Sequence, residues 1–213
     1  MKNILKIFIL TSMVFFFSNK VMASNEFDLY LDYLHSGRTE TGDVSTDYNL
    51  VAVGVNYLSE KNFLSGAEFG FGSSAAYIGG SKTSQNFINL KFGFRVLDKK
   101  KYKLDPVISV FSLTDKSDVT IQTLGTLIGP EFKYLITEKF AIDLNYYFSL
   151  SGSVKVNKHD IGEDGKISKY EIKFKYAISD GGLFVFGLRD VSYSGGALER
   201  TNSGFTLGYQ HKF

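Results

Sequence analysis

Large apolar side chains recur at every second position along most of the chain. The clearest stripe runs from Phe140 to Leu150, where Asp143, Asn145 and Ser149 occupy alternate positions. Because successive side chains of a strand point to opposite faces of a sheet, this period predicts β-strands with one apolar and one polar face. The same alternation is found at 27–33, 51–57, 63–71, 88–96, 104–110, 128–134, 170–178 and 205–213.

One further segment, 183–193, allows two assignments of its faces. We take Phe184, Phe186 and Leu188 as its apolar face, which turns Arg189 toward the polar side. The chain then contains about ten strands, with eight as the alternative.

The connections between the strands alternate in length. Tight turns are predicted at 59–62, 98–101, 136–139 and 179–182. Longer polar stretches are found at 36–48, 73–85, 114–119, 152–168 and 195–202. This rhythm predicts an antiparallel up-and-down arrangement with short turns and both termini at one end, and longer loops at the other.

The composition of the polar face indicates whether the apolar stripes face lipid on the outside of a barrel or a core on its inside. It carries Gly and Ala together with charges of both signs, and narrow barrel interiors need small residues and paired charges. The sequence therefore predicts an all-β transmembrane β-barrel with its apolar face outward. The alternative is a soluble barrel of lipocalin type, which would enclose the stripes around an apolar ligand. Pro106 and Pro130 fall inside predicted strands, where each removes a ladder donor.

The first 23 residues differ from the rest of the chain. A basic start with Lys2 and Lys6 precedes the apolar run 7–17 and the small or aliphatic residues 21–23. This pattern predicts a cleaved signal peptide at 1–23 and a barrel domain at 24–213, with a retained anchor as the alternative. The mature chain would be close to neutral, so no basic excess predicts nucleic-acid binding. The absence of cysteine excludes disulfides and thiol chemistry.

With these features, the chain resembles small outer-membrane β-barrel proteins of the class formed by the OmpA transmembrane domain and OmpX. The resemblance rests on the signal peptide, the alternating strands, the rhythm of turns and loops, and the final stretch FTLGYQHKF. It implies a place in the outer membrane of a Gram-negative cell envelope, with short periplasmic turns and longer extracellular loops. It also implies contact with outer-membrane lipids and insertion by the barrel-assembly machinery. That machinery would read Phe205, Leu207, Tyr209 and Phe213.

Inward-facing charges are the main candidate site. They could plug the lumen as ion pairs or line a narrow path for ions. The predicted lumen charge network consists of Glu68, Lys91, Arg95, Glu131, Lys133, Asp143, Glu171, Lys173 and Lys175.

Two further kinds of chemistry are weaker candidates. Asp160, Asp164 and Glu171 have the spacing of a calcium loop, but Gly162 replaces a ligand and no flanking helix is predicted. His159 and His35 could approach each other at the loop-side rim in a lipid or peptide hydrolase. No cofactor is predicted. The sequence favours a non-enzymatic barrel with a structural or surface-binding role and an unknown ligand, with a narrow porin-like channel as the alternative.

Overall fold

The computed structural model describes residues 26–41, 44–74, 82–157, 159–162, 165–196 and 198–213. The predicted signal peptide at 1–23 lies outside these residues, so its presence and cleavage stay predictions. Within the described ranges, no helix is both long and apolar enough to cross a bilayer.

Antiparallel strands make up nearly all of the described chain. Ten of them form the wall of a barrel, whereas β5 and β9 are short strands added beside β6 and β8. The strands are β1 (Glu26–Thr41), β2 (Val44–Leu58), β3 (Phe63–Ser74), β4 (Ser84–Phe94), β5 (Leu97–Asp98), β6 (Tyr102–Lys116), β7 (Thr120–Leu135), β8 (Phe140–Val156), β9 (His159–Gly162), β10 (Lys166–Ala177), β11 (Gly182–Gly195) and β12 (Leu198–Lys212).

The sheet closes because its first and last strands pair. β1 lies between β2 and β12, with Leu31 opposite both Val53 and Tyr209. The other wall strands pair with their neighbours in sequence, and β8 pairs with β10 past the short β9. A closed sheet leaves no free strand edge. The predicted up-and-down barrel of about ten antiparallel strands is confirmed.

The two ends of the barrel differ. β1 begins and β12 ends at one of them, together with the turns at 59–62, 136–139 and 178–181. We call this the terminal end, and the opposite one the loop end.

Several stretches that the sequence predicts as long loops continue the strands instead. β1 and β2 extend through most of 36–48, and β11 and β12 through most of 195–202. The stretch 152–168 likewise contains the end of β8 and all of β9. Where a strand continues beyond an apolar environment, both of its faces accept polar residues and the period of two disappears. In these stretches the backbone hydrogen bonds between strands continue, although the sequence no longer alternates between apolar and polar residues.

The two strand prolines lie directly opposite each other. Pro106 and Pro130 are partners across β6 and β7, and both are exposed on the outside of the barrel. The ladder of β6 with β4 ends at Val107, and the pairing of β7 with β8 is interrupted at Gly129 and Pro130 without a change of register. Proline has no backbone N–H to donate, and each of these prolines therefore lies where the hydrogen-bond ladder to one neighbouring strand is already interrupted. A register shift between β7 and β8 lies at Thr126–Leu127.

The apolar stripes face outward and the polar positions face inward. Phe205 and Leu150 are 63% and 59% exposed, whereas Glu68 is 3% and Asp105 0% exposed. A lipocalin-type barrel would hold the stripes inside, so that alternative is wrong. Apolar residues outside and polar residues inside are the arrangement of a membrane barrel.

The outward apolar residues form a belt of limited height. On β12 the belt runs from Phe205 to Phe213, about 27 Å along the strand at about 3.4 Å per residue. With a strand tilt of about 40°, this corresponds to roughly 21 Å across a membrane, close to the band of about 25 Å typical of outer-membrane barrels. Beyond the belt on the loop side, the outward positions of β12 become polar at Ser203 and Thr201.

Two tyrosine pairs lie on the outside of the barrel at different heights of the belt. Tyr102 on β6 lies opposite Tyr134 on β7 near the terminal end. Tyr146 on β8 lies opposite Tyr170 on β10 nearer the loop end. All four rings are exposed on the outside. Tyrosine is favoured at membrane borders because its ring is apolar and its hydroxyl can reach water.

Candidate functional site in the barrel lumen

Side chains fill the lumen in successive layers. A charged layer occupies the middle, and an apolar layer lies on its loop side. We call the charged layer the central network; its members are Asp32, Glu68, Lys91, Glu131, Asp143, Lys169, Glu171, Lys173, Lys175 and Arg189. The apolar layer consists of Leu34, Tyr48, Leu50, Phe87, Phe111, Leu113 and Val191.

Glu68 on β3 connects two strands from across the lumen. It accepts hydrogen bonds from Lys169 Nζ on β10 at 3.1 Å and from Arg189 Nη1 on β11 at 3.0 Å. A second carboxylate, Glu171, lies 3.4 Å from Lys169 and 3.7 Å from Arg189. All four side chains are buried. The two cations therefore lie between two carboxylates, which compensates charges that burial alone would make very costly.

The remaining members of the central network form separate ion pairs. Each pair joins a lysine to a carboxylate on another strand. The Nζ–O distances are 2.7 Å for Lys173–Asp32, 2.5 Å for Lys175–Asp143 and 2.6 Å for Lys91–Glu131. The hydroxyl of Tyr147 also donates a hydrogen bond to Glu131. The ten members comprise five acidic and five basic side chains, and Lys133, which lines the same cavity, adds a further cation.

Aromatic rings lie over several of these cations, most closely over Arg189 and Lys173. The guanidinium of Arg189 lies 4.4 Å from the ring centre of Phe87, and Lys173 Nζ lies 5.1 Å from that of Tyr30. Such contacts stabilise a cation, more strongly when it is removed from water. Tyr30 fits because Gly54 lies beneath it, where a Cβ atom would overlap the ring. The rings thus hold charged groups and fill lumen space at once.

A separate ion pair lies at the terminal end. Arg95, just after β4, donates hydrogen bonds from Nε and Nη2 to the two carboxylate oxygens of Asp105 at 2.9 and 3.1 Å. Its Nη1 lies 3.5 Å from Asp98. These hydrogen bonds tie the end of β4 to β6 on the terminal side of the central network.

A small polar cavity lies within the central network. Its volume is about 40 Å³, enough for roughly three water molecules. Asp32, Asn89 and Asn145 line it, and each has a buried oxygen with no hydrogen-bond partner among the described protein atoms. Water in this cavity could donate hydrogen bonds to those oxygens.

The apolar layer closes the lumen on the loop side of this cavity. Phe87 and Phe111 are 4% and 1% exposed, with ring centres 6.1 Å apart. Gly70 makes room for the Phe87 ring, since a Cβ atom at that position would overlap it. The space left among the side chains of this layer is only about 10 Å³. A hydrated ion does not fit in this space, so it would have to lose its water to pass the layer, which is strongly unfavourable.

A further polar cluster lies between the apolar layer and the loop end. Asp115 on β6 accepts hydrogen bonds from Gln85 Nε2 at 2.8 Å and from the Tyr193 hydroxyl at 2.7 Å. Arg200 Nη1 on β12 lies 3.2 Å from the same carboxylate. This cluster links strands from opposite halves of the barrel.

The structure places the predicted lumen residues on the inside of the wall. Arg95 and its partner Asp105 stand apart near the terminal end, while Lys133 lies opposite Asp143 in register. All predicted members except Arg95 meet around the polar cavity: Glu68, Lys91, Glu131, Lys133, Asp143, Glu171, Lys173 and Lys175. The sequence prediction omitted Lys169, although it shares the parity of Glu171, because it lies next to a stretch predicted as a loop.

The other predicted sites are only partly described. Glu171 points into the lumen between Lys169 and Arg189, which leaves it unsuited to complete a calcium loop. The Asp160 side chain and Asp164 lie outside the described residues, as does the side chain of His35, while His159 is exposed. The described residues contain no group of three or more acidic, His or Cys side chains that could hold a metal.

The predicted assembly signal lies on the outside of β12. Phe205, Leu207 and Tyr209 are exposed within the belt. The Phe213 N–H donates a hydrogen bond to the Phe27 carbonyl at 2.9 Å, and the two rings lie 5.8 Å apart. The end of β12 is thus paired with the start of β1.

Comparison with known proteins supports the fold. No protein-family model and no curated protein matches the sequence. The translocator domain of autotransporter NalP from Neisseria meningitidis is similar in structure, with 12% identity, coverage of 100% of this chain and 98% of that chain, and a TM-score of 0.50. Neisserial surface protein A is 14% identical, with coverage of 88% of this chain and 97% of that chain and a TM-score of 0.44. The β domain of the Bordetella autotransporter BrkA is 11% identical, with coverage of 89% of this chain and 98% of that chain and a TM-score of 0.45. The chain has the fold of outer-membrane β-barrels.

Proposed function

We propose that this chain is an integral outer-membrane β-barrel protein with a closed lumen, and that its role is structural or surface-binding rather than enzymatic. The observation that carries this proposal is the combination of an outward apolar belt with a lumen filled by the central network and the apolar layer. The belt needs a bilayer around it. The filled lumen leaves the outer surface and the loop end as the parts available to a partner.

The terminal end would then face the periplasm and the loop end the exterior. Several strands continue beyond the belt at the loop end, where outward positions of β10 to β12 carry Lys166, Ser192, Ser194, Glu199 and Thr201. This polar wall, together with the loops, is the proposed binding surface. Outer-membrane lipids and, during insertion, the barrel-assembly machinery are the proposed partners.

A narrow channel is the second candidate function, because the polar cavity in the central network has charged walls. The apolar layer argues against it, since the cavity does not continue through that layer. Single-channel recordings of the purified barrel in planar bilayers separate the two. We expect no current steps above background, and regular steps would favour the channel.

Two experiments test the membrane assignment. Membrane-fraction protein should migrate differently on a gel before and after boiling, because a closed barrel resists detergent until heated. The chain has no cysteine, so Glu199→Cys at the loop end and Asp180→Cys at the terminal end provide single labelling sites. In intact cells, an impermeant maleimide should label the first, and should label the second only after the outer membrane is permeabilised. A soluble protein without a gel shift would refute the proposal.

A further inference from the structure

Three consecutive lysines lie on the connection between β5 and β6 at the terminal end. Lys99, Lys100 and Lys101, which we call the lysine turn, are all exposed. No ion pair is found for them within the described parts of the chain. Their charge is therefore available to a partner outside the barrel.

Neighbouring charges do not neutralise the lysine turn. Arg95 is paired with the buried Asp105, and Lys103 lies 3.7 Å from Glu26 and 3.6 Å from Asp98. The nearby carboxylates are thus already engaged by other cations. The positive charge at this end is concentrated on one connection.

The other terminal-end turns lack such an excess. One turn carries Glu60 beside Lys61, the next carries Glu138 beside Lys139, and the last carries Asp180. None of them combines adjacent lysines. Among these turns, the β5–β6 connection therefore carries the largest excess of positive charge.

Backbone hydrogen bonds hold the lysine turn at the border of the belt. The Lys99 N–H donates to the Tyr102 carbonyl at 2.9 Å, and the Leu135 N–H donates to the Lys101 carbonyl at 2.6 Å. Tyr102 and Tyr134 lie directly beside it, and Val96 on the preceding segment is 57% exposed. Apolar and aromatic side chains thus meet the hydrocarbon border where the lysines begin, which is the depth of lipid phosphates.

We propose that the lysine turn binds the phosphate groups of anionic phospholipids in the leaflet that meets the terminal end. This inference rests on the membrane location in the proposed function. Juxtamembrane lysines attract anionic lipid with a strength equivalent to roughly fivefold in affinity for each lysine. Exposed lysines beside border tyrosines and the apolar Val96 fit a phospholipid, which carries a phosphate and acyl chains in one molecule.

The test compares two triple variants that remove equal charge. Lys99→Gln, Lys100→Gln and Lys101→Gln are combined in one, and the exposed Lys61, Lys116 and Lys139 are replaced by Gln in the control. Each full barrel is placed in nanodiscs of phosphatidylethanolamine with a minority of phosphatidylglycerol. The lipids retained by the protein on extraction are then counted by mass spectrometry.

We expect the wild type and the control to retain phosphatidylglycerol preferentially, and the lysine-turn variant to lose on the order of a hundredfold of that preference, roughly fivefold for each of its three lysines. High salt should weaken the preference in the wild type, because it screens exposed charges. Equal retention by the wild type and the lysine-turn variant would overturn the inference, as would an equal loss in the control. Failure of the wild type to enter nanodiscs would instead refute the membrane location.

Discussion

Glu68→Gln is the most informative single change in the central network. Glu68 accepts from Lys169 and Arg189 at 3.1 and 3.0 Å, and each contact corresponds to a gross attraction of about 5 kcal/mol at an effective dielectric constant of about 20. The amide keeps the shape and one acceptor oxygen, and Glu171 still lies beside both cations. We therefore expect a loss near the lower limit for breaking a buried pair, about 3 kcal/mol in the free energy of unfolding.

The assay is urea unfolding of the folded barrel in lipid vesicles, followed by tyrosine fluorescence and by the heat-dependent gel shift. Glu138→Gln removes an exposed carboxylate from a turn and is the matched control, with an expected change below about 0.5 kcal/mol. Combining Glu68→Gln with Lys169→Gln restores charge balance, so the double variant should be more stable than the sum of its parts predicts. The reasoning is refuted if Glu68→Gln is as mild as the control.

Three further changes test the belt, the apolar layer and the end of β12. Phe186→Arg, within the belt, should lower the free energy of unfolding in vesicles by about 2–4 kcal/mol. Ser192→Arg lies on the same outer face of β11 but beyond the belt, and should lower it by less than about 1 kcal/mol. Equal losses for the two variants would contradict the assignment of the belt. Phe87→Ala combined with Phe111→Ala should cost several kcal/mol and open a path that single-channel recordings detect as new current steps; a silent variant would mean that the closure lies elsewhere. Phe213→Ala should lower the heat-shifting fraction recovered from membranes, and an unchanged yield would argue against its part in assembly.

The sequence predicted the architecture because the belt imposes its pattern on every wall strand. An outward position within the belt must be apolar, so stripes such as Phe140 to Leu150 are uninterrupted. The parity chosen for 183–193 was right for the same reason, since Arg189 lies inside and Leu188 outside. Strand ends were predicted less well. Beyond the belt neither face of β1 or β2 meets lipid, so the sequence there does not alternate between apolar and polar residues.

The pairing of charges could not be predicted from the sequence. Lys169 and Glu68 are 101 positions apart and meet because the tilt of the strands brings β3 opposite β10. Parity identifies which charges face inward, but contacts across a lumen depend on the stagger of all the strands between them. Asp115 and Arg200 were missed for a simpler reason, since both fall in stretches that were predicted as loops.

The seam between β1 and β12 has a consequence for how the protein is made. β12 is synthesised after every other wall strand, yet its backbone must pair with β1 along most of its length. Until then nine wall strands exist with unpaired edges, which are templates for pairing with other chains. Contacts of such long range also form slowly, since the chain between them must be ordered first. We therefore expect a product truncated before β12 to aggregate or be degraded rather than insert as a smaller barrel.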